Sequence, residues 1–419
     1  MKKNKGYKYR IYPTEEQKEF FEINFRAAKF AYNKMLDVQE QRYALKTIDD
    51  DRAKLNDLLK IKAPTSEQEE EIKKYTAYVK AKQTVIDNIK ERYPEPEDII
   101  PEKFTKKGEK KTYNTLLTEF DMLCYFKRLV SRYPFADELK KSDSWAMAYA
   151  IGNLAQAYKN LFNKKMKDAE KPVFKKKNCT YTTASKHKGE KGAYTVRIQG
   201  DYIRIPKCKN IKIKCHRPLP EGSIIKNATI TKATNDDYFI SLTLEYNADE
   251  VVAEQKDNYD IEYIKEGLFV DGDGSRTMMP AYYHRSLQKL KDAQTKLSKM
   301  QEANIDHYEK VIGKDGKEHL KPIFKRDPKE CKNYQKQLRK VQRINMKIAN
   351  QRKDYLHVKS KEITEKYGTI HVNDVSIKEI IKENKAKKER QTILNNGWNI
   401  FTTYLDYKAN DRGGCVIKI

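Results

Sequence analysis

The chain has 419 residues, with 86 Lys and Arg against 60 Asp and Glu, which leaves a formal net charge of +26 and a pI near 9.4. Solubility does not need an excess of that size; it points to a polyanionic partner, because each cation that neutralises a phosphate releases a condensed counterion. No stretch approaches the roughly 20 apolar residues of a membrane span and no apolar region follows the N-terminal Met-Lys-Lys-Asn-Lys-Gly, so a spanning helix is excluded and a cytoplasmic protein with no membrane partner is expected.

The charge is spread through Met1 to Arg10, Lys171 to Lys177, Lys207 to Arg217 and Lys329 to Arg352, so contact along the whole length is expected. A short basic strand, Lys8 to Tyr12, comes first. Thr14 and Gln17 then form a capping-box pattern ahead of an apolar series from Phe20 to Ala31, which predicts a long helix. Further helical stretches cover about Ile48 to Tyr93, Thr112 to Arg132 and Ser142 to Lys167, broken by a Pro94-to-Lys111 loop. From Pro172 the apolar period becomes two. Tyr194 to Ile198, a Gly200-Asp201 turn and Tyr202 to Ile205 read as a hairpin, and Ala228 to Thr231 with Tyr238 to Leu244 as a second pair. Arg197 and Arg204 sit among these strand residues, either as contacts or as charges of a solvated face. Beyond an acidic linker around Asp249 to Asp260 come two short strands, Asp260 to Ile264 and Leu268 to Val270, and a turn at Gly272 to Gly274. Charged helices over Ser286 to Asn304 and Pro328 to Tyr367 follow, then a strand Thr369 to Asn373, a helix Lys387 to Asn410 and a strand Gly414 to Ile419. Strands separated by helices predict an α/β sheet. The six cysteines (Cys124, Cys179, Cys208, Cys215, Cys331, Cys415) show no C-x-x-C pair, so isolated buried thiols are expected and no metal site.

The opening Tyr7 to Gln17, the tetrapeptide Phe30-Ala31-Tyr32-Asn33, and Ser286 to Leu290 followed by Ile348 to His357 together resemble TnpB, the transposon-encoded RNA-guided nuclease related to type V CRISPR effectors. The last of these is the most specific match, and the resemblance runs over nearly the whole chain, least securely between Asp37 and Lys111. It implies a multidomain α+β and α/β fold. Residues 1–13 would be the first strand of a small, wedge-like β-barrel domain, 14–170 a helical recognition lobe, 171–250 the rest of the barrel, and 255–419 a C-terminally truncated RuvC or RNase H-like α/β domain lacking the zinc ribbon.

The family's nuclease holds two metals with three carboxylates, an arrangement in which every carboxylate must be closely placed. The family's first Asp falls on Glu262, whose extra methylene moves the carboxylate outward by about 1.5 Å, and the family Gly falls on Ile264. A rival alignment takes Asp271 as that Asp, although Gly272-Asp273-Gly274 reads better as a turn. The family's Glu falls on Asn373, an amide that lacks the charge a metal pair needs. Asp374 follows it and would point to the opposite face of a strand. The third Asp and the zinc ribbon would lie beyond Ile419, where the sequence stops. The resemblance therefore implies the family's TnpB-like nuclease-dead repressors: no catalytic residue, with Glu262 and Asn373 as degenerate positions, no metal and no cofactor.

The partners so implied are a guide RNA, held by shape and phosphates, and double-stranded target DNA carrying a short flanking motif, with one monomer on one guide. An R-loop held over a promoter would repress by occupancy. Contact candidates follow from sign and position: Lys8, Arg10, Lys29, Tyr32 and Asn33; Lys175, Lys176, Lys177, Arg197 and Arg204; Lys336, Arg339, Arg343, Arg352 and Lys353. Tyr32, at helical spacing from Phe25 and Ala28, is either a stacking ring or a core residue. His357 reads as a packed or capping histidine, since no Cys or second His lies at metal spacing.

Overall fold

A computed structural model describes residues 2–92, 116–132, 136–163, 166, 169–187, 193–247, 257–312, 318–383 and 386–419. They belong to two units, Lys2–Ala248 and Asp249–Ile419.

In the first unit, β1 (Lys2–Tyr12) turns Tyr7, Tyr9 and Ile11 inward and its alternate residues outward. Pro13 ends it and Thr14 caps α1 (Glu15–Leu59): the Gln17 N–H donates to Thr14 Oγ1 at 3.4 Å and the Thr14 N–H to Gln17 Oε1 at 3.0 Å, the expected capping box. The same device recurs at Thr65 and Gln68, at 2.9 and 3.4 Å, and starts α2 (Ser66–Arg92). The stretch expected from Ile48 is thus the end of one helix and the whole of another, parted at Pro64. The two run antiparallel, with Ala44 and Ile48 against Ile86 and an Asp51–Lys82 ion pair. Thr118 and Asp121 cap α3 (Glu119–Arg132), which therefore starts later than the sequence suggests. The Pro94-to-Lys111 loop lies outside the described residues. After α4 (Ala136–Lys141), Asp143 caps α5 (Ser144–Leu161) through the Trp145 N–H, accepts from the Thr183 hydroxyl, and donates its own N–H to Asn24 Oδ1.

Six more strands complete a curled half-barrel: β2 (Thr180–Ala184), β3 (Arg197–Gln199), β4 (Tyr202–Ile205), β5 (Lys209–Lys214), β6 (Ile224–Lys232) and β7 (Tyr238–Asn247). The order is β2-β6-β7-β1-β5-β4-β3, every neighbour antiparallel, so the N-terminal strand lies mid-sheet. The expected small barrel is thus present as a curled half-barrel, whose two edge segments meet at the His187–Tyr194 bridge and through the Thr195 N–H, which donates to the Lys186 carbonyl at 2.9 Å. Its inner face shares one core with α1, α3 and α5, including Phe21, Met35, Met122, Leu154, Ile211 and Ile240. Burying side chains of this kind supplies roughly 1.5–3 kcal/mol each. Among the cysteines only Cys208 is fully buried, and its thiol is pushed up to about 12 by that burial; Cys215 and Cys415 are exposed, against the expectation of buried thiols throughout.

In the second unit, β8 (Asn258–Tyr263), β9 (Phe269–Asp271) and β10 (Arg276–Thr277) form an antiparallel meander, extended beside β8 by two parallel strands, β13 (Thr369–Val372) and β14 (Cys415–Lys418). Between meander and parallel strands run α6 (Ala281–Ala303), a hairpin of β11 (Ile305–Ile312) and β12 (Glu318–Phe324), and α7 (Lys332–Lys366). The hairpin has no counterpart in the sequence expectation, although Asp315-Gly316 is a strong turn signal. After β13 come α8 (Ile377–Glu383), α9 (Lys387–Asn396) and α10 (Trp398–Asp411). The helix expected over Lys387 to Asn410 is broken at Gly397, which adopts φ 72° where a Cβ would also press on Leu356 and Arg352. Trp398, Phe401, Leu405 and Ala409 of α10 recur at helical spacing and cover Ile261, Phe269, Ile370 and Val372 of the sheet. At Gly414 a Cβ would lie 2.2 Å from the Gly368 carbonyl oxygen, so only glycine lets β14 enter beside β13.

Candidate nucleic-acid interface

Lys29, Tyr32 and Asn33 lie at i, i+3 and i+4 on α1, one face of the helix, and the structure brings them to the segment carrying Lys175, Lys176 and Lys177. Asn33 Nδ2 donates to the Lys175 carbonyl at 3.0 Å while Oδ1 accepts the Lys175 N–H at 2.9 Å. Lys29 Nζ donates to the Lys176 carbonyl at 2.7 Å. Lys175 Nζ stands 4.1 Å from the Tyr32 ring centre. Tyr32 is 8% exposed, so the core reading holds and its ring has no face for a base. Burial pushes the Tyr32 phenol up and the Lys175 ammonium down. These residues fasten a strap to α1; the strap leaves Lys176 and Lys177 exposed at the mouth of a ≈ 300 Å³ cleft shared with Arg26 and Lys232.

On the sheet, Lys8 lies 4.7 Å from the Phe239 ring, and Arg10 pairs with Asp237 with its guanidinium 5.3 Å from the Tyr12 ring. Arg197 and Arg204 are direct cross-strand partners. Arg197 donates to the Tyr194 carbonyl at 3.0 Å, and Arg204 is exposed.

In the second unit, Lys336, Arg339 and Arg343 are exposed along α7, and Lys340 and Lys347 complete their stripe. The neighbouring face, about a third of the way round the helix, holds α6 through Val341, Ile348 and the Gln337 amide, which donates to the Ala293 carbonyl at 2.8 Å. Arg352 belongs to the packing: Nη1 donates to the Leu394 carbonyl at 3.2 Å and its stem lies against Gly397. Lys353 is exposed. His357 stacks on Tyr404 at 3.9 Å, and Lys408 Nζ reaches the His357 carbonyl at 2.6 Å and Ser360 Oγ at 2.7 Å. Burial, then Arg412 and Lys361, lower the Lys408 ammonium to about 8.

Glu262 and Asn373 do come to the same end of neighbouring strands. Val372 pairs with Ile261, which brings the next residue, Asn373, level with Glu262. Glu262 is exposed beside Asp260, two residues back on the same face. Asn373 lies just past β13, and its Oδ1 accepts the Tyr263 N–H at 2.9 Å, prolonging the ladder with a side chain. Asp374 is also past the strand, so strand alternation is not what holds it off; its carboxylate meets Lys418 at 3.1 Å and its N–H donates to the Ile419 carbonyl. Asp271 ends β9 and fastens the turn that follows, taking the Ser275 N–H at 2.8 Å on Oδ1 and the Tyr259 hydroxyl at 3.2 Å on Oδ2. Burial, then Asp271, push the Tyr259 phenol up. The His371 ring, absent from the expected site, meets Asp260 at 2.6 Å. Among the described residues no three His, Cys, Asp or Glu side chains gather as a metal-holding group. No helix among them is long and apolar enough to cross a membrane.

Residues 1–47 match the domain family described as "Helix-turn-helix domain", and residues 316–384 the one described as "Probable transposase". In this chain the first match covers β1 and most of α1, and the second contains Asn373. A protein of Escherichia coli (strain K12) named "Putative RNA-guided DNA endonuclease InsQ" is 24% identical over 67% of this chain and 63% of its own length. A Streptomyces pristinaespiralis protein named "Putative RNA-guided DNA endonuclease" is 23% identical over 65% and 58%. The chain thus spans about three fifths of the length of the curated relatives it matches. The cryo-EM structure of a Cas12f1–sgRNA–target DNA complex aligns with 100% of this chain and 89% of that one, at 10% identity and a TM-score of 0.41.

Proposed function

We propose that the chain is an RNA-guided, sequence-specific DNA-binding protein that represses transcription by occupying a promoter without cutting it. The observation that carries this is Asn373: a neutral amide stands where the resemblance calls for a glutamate, and its oxygen is engaged by the Tyr263 N–H. Glu262, exposed and a methylene longer than aspartate, stands beside it. The sheet order supports the domain assignment, since an antiparallel meander extended by two parallel strands is the arrangement of RNase H type folds. The matched relatives, named as RNA-guided DNA endonucleases, support guide RNA and target DNA as partners.

Base pairing between guide and target strand would read the sequence, and the protein would read the heteroduplex through shape and phosphates. The exposed stripe on α7 and the lysines of the strap supply cations for that purpose. Without strand scission the complex remains on the DNA and excludes polymerase. The names of the relatives favour a second reading, a guided nuclease with an altered site built on Glu262, Asp271 or Asp273, and Asp374.

One experiment separates the readings. The protein is expressed with the DNA that flanks its gene, its bound RNA is sequenced, its chromosomal occupancy mapped, and the purified complex incubated with a guide-matched plasmid and magnesium or manganese. The expected result is a discrete RNA whose end matches an occupied promoter, with the plasmid intact. Metal-dependent cutting would establish the nuclease, and bound RNA without any DNA peak would reduce the protein to an RNA binder.

A further inference from the structure

The outer face of the seven-stranded sheet carries a charge pattern that works against the sheet itself. Ile203, Ile205, Ile211, Ile213, Tyr9 and Ile11 point into the core, so the residues between them on β4, β5 and β1 point out. Two directly opposed outward pairs are cationic: Arg197 with Arg204, and Lys214 with Arg10. Like charges placed opposite one another destabilise an antiparallel pair. Asp237 relieves Arg10, but among the described residues no acid bonds Arg204, Lys209, Lys212 or Lys214.

Between those cation pairs runs one row of cross-strand partners, Tyr202, Lys212 and Tyr12, taken from β4, β5 and β1. Tyr202 is 48% and Tyr12 44% exposed. With strands about 4.8 Å apart, the two tyrosine backbones stand roughly 10 Å from one another, one strand to either side of the lysine. Gln199 neighbours Tyr202, and Asn210 neighbours Arg204. A groove of ≈ 560 Å³ opens beside Tyr12, Lys212 and Lys214, with the Asp201 carboxylate also on its wall, and another of ≈ 600 Å³ beside Arg197, Arg204 and Lys209.

We propose that this face is a platform for an unpaired stretch of RNA, with Tyr12 and Tyr202 stacking on bases and Arg197, Arg204, Lys212 and Lys214 on phosphates. Exposed rings need free base faces, which a duplex hides within its own stack, so the occupant is single-stranded. Arg204, Lys212 and Lys214, which no acid bonds among the described residues, would attract a polyanion. The Gln199 and Asn210 amides each donate and accept, as a 2′-hydroxyl does, and that group is what RNA has and DNA lacks. The inference rests on the reading of the chain as a guide-RNA binder and places an unpaired part of that RNA.

The test titrates the full-length protein, stripped of co-purified nucleic acid, with a fluorescent oligouridylate, its 2′-deoxy counterpart and an RNA duplex, following anisotropy at several salt concentrations. The RNA strand should bind more tightly than the other two. Tyr12→Ala and Tyr202→Ala should each weaken it by about 5- to 100-fold, while Tyr202→Phe, which keeps the ring, stays within about twofold of wild type. Arg197→Gln with Arg204→Gln should reduce the salt slope by about 0.7 for each phosphate no longer neutralised. Alanine variants that melt and bind like wild type would overturn the platform, as would equal loss in the alanine and phenylalanine variants or a preference for the deoxy strand or the duplex. Chromosomal occupancy reports separately on repression. Variants that lose the oligouridylate while wild type shows no DNA peak leave the platform standing without the repressor, and unaffected variants with an occupied promoter do the reverse.

Discussion

Asn373 and Asn33 illustrate how much one amide can hold. Each uses its side chain where a backbone group would serve, Asn373 for the Tyr263 N–H and Asn33 for both the N–H and the carbonyl of Lys175. Removing such a partner leaves a part-buried donor unmatched, at a cost of about 1–3 kcal/mol. Asn373→Ala should therefore lower stability in urea unfolding by that amount. Asn373→Asp, which keeps the acceptor, should change it by no more than about 0.5 kcal/mol at neutral pH. If both variants lose stability equally, the 2.9 Å bond is not what the residue contributes.

Helix α10 is held to α7 by an apolar stripe and by one ammonium. Lys408 donates to the His357 carbonyl and Ser360 Oγ, with burial, Arg412 and Lys361 lowering it to about 8. A lysine whose folded value is depressed leaves the unfolded chain binding more protons between about 8 and its ordinary 10.5, so its contribution to stability rises with pH across that window. Below the window both states are charged and above it both are neutral. The stability difference between wild type and Lys408→Met should accordingly climb from pH 8 towards 10.5. Thermal melts that show a flat difference would mean that the ammonium is solvated in the folded chain. Along α7 itself, exposed charge and packing are separated by face: Val341 and Ile348 hold α6, while Lys336, Arg339, Lys340, Arg343 and Lys347 lie exposed over a stretch that rises about 16 Å.

The whole molecule carries +26, and the described residues place much of its basic charge on exposed side chains. Binding to single-stranded RNA should then fall about 300-fold or more between about 50 and 200 mM salt, the behaviour of a protein that neutralises six or more phosphates of a single strand. Replacing Lys336, Arg339, Arg343 and Lys347 by Gln should flatten that dependence by about 0.7 for every phosphate released and leave the melting temperature in place, because the face against α6 is untouched. A variant with an unchanged slope would remove the stripe from the interface.

The Thr14 capping box, the hairpin about Gly200-Asp201 and the strand beginning at Thr369 were all legible in the residues, because caps, turns and periodicity are local properties. The sequence also contained, unread, the second capping box at Thr65, the third at Thr118, the left-handed Gly397 and the Asp-Gly signal of the β11–β12 hairpin. Other facts were not in any local pattern. That Tyr32 is core, that Asn33, Lys29 and Arg352 secure backbone, and that Asp271 closes a turn depend on groups between 4 and about 150 residues away. The row Tyr202, Lys212, Tyr12 exists only because a strand from the N-terminus enters mid-sheet beside one from residue 209. Residue type and spacing determine what a segment can form and which partner it attracts; which side chains are left free to meet that partner is decided by packing, because each buried donor or acceptor must first find a mate.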